Sequence, residues 1–281
     1  AMTALSVYDG LNINAYLSDT SIKSRTHYTG YKGEELASYS QNFVLGTTEV
    51  WDTSIYTYAT NDILQDITTY RSGSKNSSST AGLVKKSLTH YVGNLRGEEI
   101  VDYVYSYRTD NVTVDTTTKS YYDAAEDEAS ASVRPSYLSK TITWVGTNTT
   151  TSGGYARQVA FYKGERKGEE LIDWTQDYSY DGSKRKTISF NIYDSDLLLA
   201  DCLRSVRTYK AETPYDYGQY YIATITKPDY TTMDDASLKS IAYYVGNTKG
   251  EEIVDYRDNY RMGIDTFDTR TTNYYGYCPG K

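Results

Sequence analysis

Tyr91-Val92-Gly93-Asn94-Leu95-Arg96-Gly97-Glu98-Glu99-Ile100-Val101-Asp102-Tyr103 decides the fold, because the pattern occurs four times in the chain. Tyr28-Thr29-Gly30-Tyr31-Lys32-Gly33-Glu34-Glu35-Leu36-Ala37-Ser38-Tyr39 precedes it. Tyr162 to Trp174, containing Gly168-Glu169-Glu170, and Tyr244 to Tyr256, containing Gly250-Glu251-Glu252, follow. Agreement of four copies over a dozen positions is beyond chance, so the architecture is repetitive. In each copy an aromatic strand ends at a glycine, and turn formers follow. The second glycine supplies the positive φ that a tight hairpin or its bulge requires. Beyond Gly-Glu-Glu the pattern alternates, placing Val101, Tyr103, Tyr105 and Tyr107 on one expected face at period two. Ala37 and Tyr39, Ile172 and Trp174, and Val254 and Tyr256 are expected to do the same. Each copy thus reads as a hairpin with an aromatic face carrying Tyr39, Tyr103, Trp174 or Tyr256.

The motif glycines stand 64, 71 and 82 residues apart (33 to 97 to 168 to 250), too far and too unevenly for a β-helix coil. Such spacing fits multi-stranded units with loop insertions that bury their apolar faces by stacking. The expected class is all-β, with tandem antiparallel hairpin or sheet repeats. Trp51 to Tyr58 and Tyr220 to Ile225 read as linking strands, and short helices are expected around Ala124 to Ser132 and Asp194 to Ser205. Arg71 to Ala81 reads as a flexible Ser/Gly/Asn insert, and Trp144-Val145-Gly146 as a degenerate fifth start. The expected organisation is an N-terminal strand and assembly arm at 1–20, repeats 1 and 2 at 21–135, and repeats 3 and 4 with an insertion at 136–281.

Tyrosine contributes 33 residues, against 4 phenylalanines and 3 tryptophans. A phenol packs through its ring and hydrogen-bonds through its hydroxyl, which suits half-buried strands better than one aliphatic core. The net charge of −8 argues against nucleic acid as a partner, since phosphate binding needs a basic face. No apolar run approaches the roughly 18 residues of a membrane span. Cys202 and Cys278 either form a disulfide tying down the C-terminal tail or are two unrelated thiols. Asn76, Asn111 and Asn148 begin N-glycosylation sequons in Ser/Thr-rich stretches.

The paired glutamates are the most tempting catalytic feature, because glycosidases set two carboxylates across one bond. Adjacent strand residues point to opposite faces, so Glu98 and Glu99 cannot form that pair. A charged hairpin shoulder, paired with the neighbouring Lys or Arg or protecting a sheet edge, is the favoured reading. His27 and His90 are the only histidines, and both precede the motif tyrosine in a slot that holds Phe161 and Tyr243 in the other copies. A catalytic base is not interchangeable with phenylalanine, so the slot calls for a flat ring. No metal or cofactor site is expected: histidine and cysteine are scarce, and the acidic run at Asp123, Glu126, Asp127 and Glu128 lacks the spacing of a calcium loop.

These tandem Tyr/Gly units with their Lys/Arg-Gly-Glu-Glu motif resemble the Tyr-Asp repeat shells of large bacterial surface proteins. The likeness is one of composition, because Tyr-Asp-x-x-Gly is not regular here. The chain also resembles protomers of extracellular filaments, which are all-β, acidic, rich in Tyr and Thr and sometimes sugar-decorated. The resemblance carries no functional residue across. It implies a non-enzymatic structural subunit of an extracellular filament, pilus-like fibre or surface layer, located outside the cell or at its surface. Its partners would be identical subunits in a homopolymer, with bound or covalent glycans. The N-terminal arm would add as a strand to a neighbour's sheet. A carbohydrate-binding or adhesive module is the alternative, and a polysaccharide hydrolase a second one.

Overall fold

The hairpin at each Gly-Glu-Glu copy forms the middle of a four-stranded repeat. Repeat 1 comprises β1 (Ala4–Tyr8), β2 (Ile22–Thr29), β3 (Leu36–Phe43) and β4 (Val50–Tyr58). Repeat 2 comprises β5 (Leu64–Arg71), β6 (Val84–Val92), β7 (Ile100–Tyr107) and β8 (Val114–Tyr122), and a two-residue strand β9 (Asp127–Glu128) follows. Repeat 3 comprises β10 (Leu138–Val145), β11 (Ala156–Lys163), β12 (Leu171–Tyr178) and β13 (Arg185–Tyr193). Repeat 4 comprises β14 (Leu203–Lys210), β15 (Leu238–Val245), β16 (Ile253–Arg261) and β17 (Thr266–Thr272). The protein, a computed structural model, is described at residues 1–8, 19–130, 137–147, 149, 155–179, 181, 184–195, 201–210, 227–229, 231, 233, 237–261 and 266–275.

The chain divides into two units, Ala1–Tyr121 with Asp127–Pro135, and Tyr122–Glu126 with Ser136–Lys281. In the first, β1 to β8 follow one another as an antiparallel meander. In the second, β10 to β17 do the same. The turns between the second and third strands are six or seven residues long in every repeat (30–35, 93–99, 164–170, 246–252). The connections between first and second strands run from ten residues (146–155) to 27 (211–237). The uneven motif spacing is therefore insertion outside a constant hairpin.

The all-β class holds. Among the described residues helical conformation is confined to two short 3-10 segments, Asp19–Ser21 and Thr60–Asp62, and to Thr231 and Ser237. Within the expected helices, Asp127–Glu128 is a strand and Leu203 to Ser205 open β14, while residues 196–200, which carry the apolar cluster of the second, lie outside the described residues. Trp144 and Val145 close β10, which pairs antiparallel with β11 across the 146–155 connection, so they lead into a hairpin that lacks the Gly-Glu-Glu turn. Trp51 to Tyr58 lies within β4, whereas Tyr220 to Ile225 falls outside the described residues. The insert after Arg71 is pinned: the buried Gln41 amide donates to the Ser74 and Ser77 carbonyls and accepts from the Asn76 N–H. Ala4 to Tyr8, expected to reach a neighbour, pairs with β2 of its own chain, while Leu11, Ile13 and Ala15 lie outside the described residues.

One bulge recurs in all four hairpins. Tyr39, Tyr103, Trp174 and Tyr256 oppose His27, His90, Phe161 and Tyr243, but the next residue of the opposing strand skips one position. Ser38, Asp102, Asp173 and Asp255 are thereby left as the extra residue of a β-bulge. The skip corrects the expected face. Val101 opposes Tyr91 while Tyr103 opposes the adjacent His90, so the two lie on opposite faces of the sheet. The same reversal separates Ala37 from Tyr39, Ile172 from Trp174 and Val254 from Tyr256.

Burial is uneven. In the second unit Trp174, Ile188, Phe190, Tyr209, Leu238 and Ile241 form a buried cluster, with Phe161 and Tyr243 packed against it. In the first unit a smaller cluster joins Ile22, Phe43 and Val50, with Tyr8 against it. All nine residues of β6 are half-buried, so neither of its faces is fully covered and neither fully exposed.

Candidate functional site

Each Gly-Glu-Glu turn is built on one backbone hydrogen bond. The first Glu of each copy, Glu34, Glu98, Glu169 or Glu251, donates its N–H to the carbonyl three residues earlier, at Tyr31, Leu95, Arg166 or Thr248. The glycine before it has φ of +88°, +80°, +84° and +82° at Gly33, Gly97, Gly168 and Gly250. Positive φ at the third turn position alone is the mark of a type II turn, and glycine meets it without strain. Space is not the reason, because a Cβ at any of these four would meet nothing. The earlier glycine answers to closeness, to positive φ or to both: at Gly93 a Cβ would sit 3.0 Å from the Glu99 Cα, at Gly246 (φ +133°) 3.1 Å from the Glu252 Cα, and Gly164 has room but a φ of +105°.

The second Glu carries the repeated contact. One carboxylate oxygen of Glu35, Glu170 and Glu252 accepts the N–H of its own motif glycine at 2.7–2.8 Å. The other oxygen accepts an N–H from the start of the repeat's first strand, or in repeat 1 from two residues ahead of it: Met2 to Glu35 at 2.9 Å, Leu138 to Glu170 at 2.8 Å, Leu203 to Glu252 at 3.0 Å. Glu99 takes Leu64 in the same way at 2.9 Å. The side chain thus clasps the hairpin turn to the strand beside it, and satisfies amides that no ladder partner reaches. The shoulder expected to pair with Lys or Arg is instead a backbone clasp. An ion pair within a turn, Arg166 to Glu169 at 3.8 Å, joins two exposed side chains.

The clasp fixes the charge state. Backbone N–H donation, from Met2 first, holds the Glu35 carboxyl below the ordinary glutamate range. At Glu252 burial pushes upward, but donation from its own, the Leu203 and the Gly250 amides outweighs it and the net direction is down. Carboxyls lowered on folding contribute stability that is complete above the unfolded glutamate range and is lost as pH falls through the folded values. Below about pH 4 the Leu203 amide is expected to lose exchange protection, once corrected for intrinsic rate, before the β15–β16 ladder does. Hydrogen exchange across that range tests this; Leu203 protection unchanged to full unfolding would contradict it.

The aromatic slot behaves as a ring-stacking site in every copy. His27 stacks on Tyr39 at 4.3 Å, His90 on Tyr103 at 4.9 Å, Phe161 on Trp174 at 4.4 Å and Tyr243 on Tyr256 at 4.4 Å between centroids. Burial, then the Arg25 charge, lowers the pKa of His27 against an opposing bond from Asn76, so the ring is held neutral. His90 differs in placing Nδ1 2.8 Å from the Asp66 carboxylate. Burial first, and then neighbouring Tyr105, pushes the Tyr103 phenol up to about 12, leaving it a hydrogen-bonding group and no base.

A further repeated residue escaped the pattern search. Tyr58, Tyr122, Tyr193 and Tyr275 each stand 25 residues after their motif glycine (33 to 58, 97 to 122, 168 to 193, 250 to 275). The Tyr58, Tyr193 and Tyr275 hydroxyls donate to the Ala37, Ile172 and Val254 carbonyls at 2.9, 2.7 and 2.7 Å. These acceptors lie four residues after the motif glycine, immediately before the bulge. The constant interval was the available signal.

No known protein family matches the chain, and neither does any curated protein.

The remaining candidate residues are dispersed. Asn76 and Asn111 are exposed with φ of +58° and +68°, a conformation asparagine tolerates well. Their side-chain oxygens accept from the Arg25 guanidinium and the Lys85 N–H, so both sequon residues also hold turns in place. Asn148 lies outside the described residues. Cys202 is a buried free thiol, and Cys278 lies outside the described residues. Among the described residues no three metal-ligating side chains converge, and no helix is long and apolar enough to cross a membrane.

Proposed function

We propose that the protein is a structural subunit of an extracellular filament, pilus-like fibre or surface layer, and that it assembles with identical copies by β-strand addition and sheet packing. One observation supports this above the others. Repeats within a unit are joined by edge-to-edge strand pairing, and the terminal strand β17 exposes all seven of its residues beside β16. An exposed edge presents a row of unpaired N–H and C=O groups, which proteins usually shield when assembly is unwanted. The clasp contributes geometry to this role, since it squares each hairpin against its neighbouring strand. Sugar decoration at Asn76, Asn111 or Asn148 and an extracellular location belong to the same reading.

Negative-stain microscopy of the purified chain over a concentration series tests it. Periodic fibres or sheets are expected. Deleting residues 1–20 is expected to leave folded monomers that no longer polymerise, because the first strand and its Met2–Glu35 bond go together. Dispersed monomers at every concentration, or undiminished fibres from the truncated chain, would refute the reading.

A further inference from the structure

Each unit contains one joint between repeats, and the two joints share their strand register and differ by one position in the turn carbonyl that is contacted. In repeat 1 to 2, β4 pairs with β5 and Tyr58 opposes Leu64 just after a register shift; in repeat 3 to 4, β13 pairs with β14 and Tyr193 opposes Leu203 just after the equivalent shift. A basic residue of the later turn then reaches back to the earlier Gly-Glu-Glu turn. Arg96 donates to the Glu35 carbonyl at 3.1 Å, and Lys249 donates to the Glu169 carbonyl at 3.1 Å. Each also approaches an aspartate two residues before the joining strand, Asp62 at 3.8 Å and Asp201 at 3.4 Å.

The two ends of the repeat series carry the two halves of this joint. At one end, every registered pairing of β1 is with β2, and Leu5 and Val7 are each 50% exposed. Lys32 occupies the turn position of Arg96 and Lys249, and among the described residues its ammonium has no partner. At the other end, every registered pairing of β17 is with β16. Tyr275 holds the place of Tyr58 and Tyr193, with its hydroxyl already bonded to the Val254 carbonyl.

We propose that β17 of one copy and β1 of a second copy of this chain form the same joint, giving head-to-tail growth with a fixed register. This rests on the filament reading and supplies its polarity and its contact. Transferred from the internal joints, the register sets Tyr275 opposite Met2, Thr272 opposite Ser6 and Thr271 opposite Val7. Lys32 of the incoming copy donates to the Glu251 carbonyl of the copy before it, as Lys249 does to Glu169. Heterologous contacts of this kind do not close on themselves unless the rotation happens to make a ring, so they generate open polymers. Register is well specified here because the bulge and the turn contact together exclude a slip.

The test uses the whole chain with Cys278→Ser as background. Val7→Cys and Thr271→Cys chains are mixed, allowed to assemble, oxidised gently and run under non-reducing conditions. Opposed strand residues lie within disulfide reach, so a covalent dimer is expected from the mixture and from neither variant alone. Val7→Cys mixed with Thr269→Cys, a two-residue slip on the same face, is expected to give none above background. K32E changes an exposed turn residue, so its circular dichroism is expected to match the parent. Its critical concentration for assembly is expected to rise about tenfold, as for loss of one charge-assisted hydrogen bond. Fibres that form without the Val7–Thr271 cross-link, or whose critical concentration K32E leaves unchanged, overturn the joint while the filament reading stands. A parent chain that never assembles overturns both.

Discussion

Trp174→Ala is expected to destabilise the second unit by about 3–5 kcal/mol. Trp174 is 2% exposed, lies nearly parallel to Phe161 at 4.4 Å, and has Phe190 at 6.5 Å on its other side. Truncation removes a large ring from a cluster that also holds Ile188, Tyr209, Leu238 and Ile241. Strand backbones fixed by ladder bonds cannot collapse into the space, so the cavity cost is added to the lost transfer energy. The equivalent Tyr256 is only half-buried, and Tyr256→Ala is expected to cost about half as much. Urea melts of the two variants, followed by tryptophan-independent circular dichroism, measure the difference. Equal midpoints would mean that the slot stabilises through ring stacking alone, with burial contributing little.

That gradient bears on what the sequence could reveal. The hairpins, their turn glycines and the flat-ring slot were legible, because each is encoded within about a dozen contiguous residues. The bulge was not. Ser38, Asp102, Asp173 and Asp255 look like ordinary members of an alternating strand, and one extra residue reverses every face assignment before it. The partners of the second Glu were hidden for a different reason. They lie 32 to 49 residues away, at the backbone amides of Met2, Leu64, Leu138 and Leu203. A leucine or methionine at each of the four places is a faint common mark, but the interval to the motif varies and a bond to a backbone N–H does not itself demand that side chain. Of the helix expected near Asp194 to Ser205, the last residues belong to a strand instead, since Ser205 and Val206 are paired to Tyr243 and Ala242 and a ladder outweighs a weak local propensity, while residues 196–200 lie outside the described residues. Residues 1–20 looked like an arm because they carry no motif, yet the motif belongs to the second and third strands of each repeat. A first strand needs only an N–H at the right place.

Glu170→Ala is the second large effect, expected at about 2 kcal/mol, with Glu169→Ala as its neighbour-matched control at under about 0.5 kcal/mol. The two residues share a turn, a charge and a side-chain length, and differ in what they touch. Glu170 accepts the Leu138 N–H at 2.8 Å and the Gly168 N–H at 2.7 Å, whereas the Glu169 carboxylate is exposed and pairs with Arg166, itself exposed, at 3.8 Å, the Lys249 contact being to its backbone carbonyl. Removing Glu170 leaves a half-buried strand amide and a turn amide without their acceptor, and water reaches the first of these poorly. Glu170→Gln keeps one carbonyl oxygen but puts a donor where the second acceptor stood, so it should recover less than half of the loss. A catalytic carboxylate predicts the opposite ordering: little effect on stability at either position and a large one on turnover. Thermal melts of the three variants beside an assay for polysaccharide hydrolysis therefore separate clasp from chemistry. If Glu169→Ala and Glu170→Ala melt together, the second Glu is no clasp, and the squared hairpin on which edge-to-edge growth depends must be held some other way.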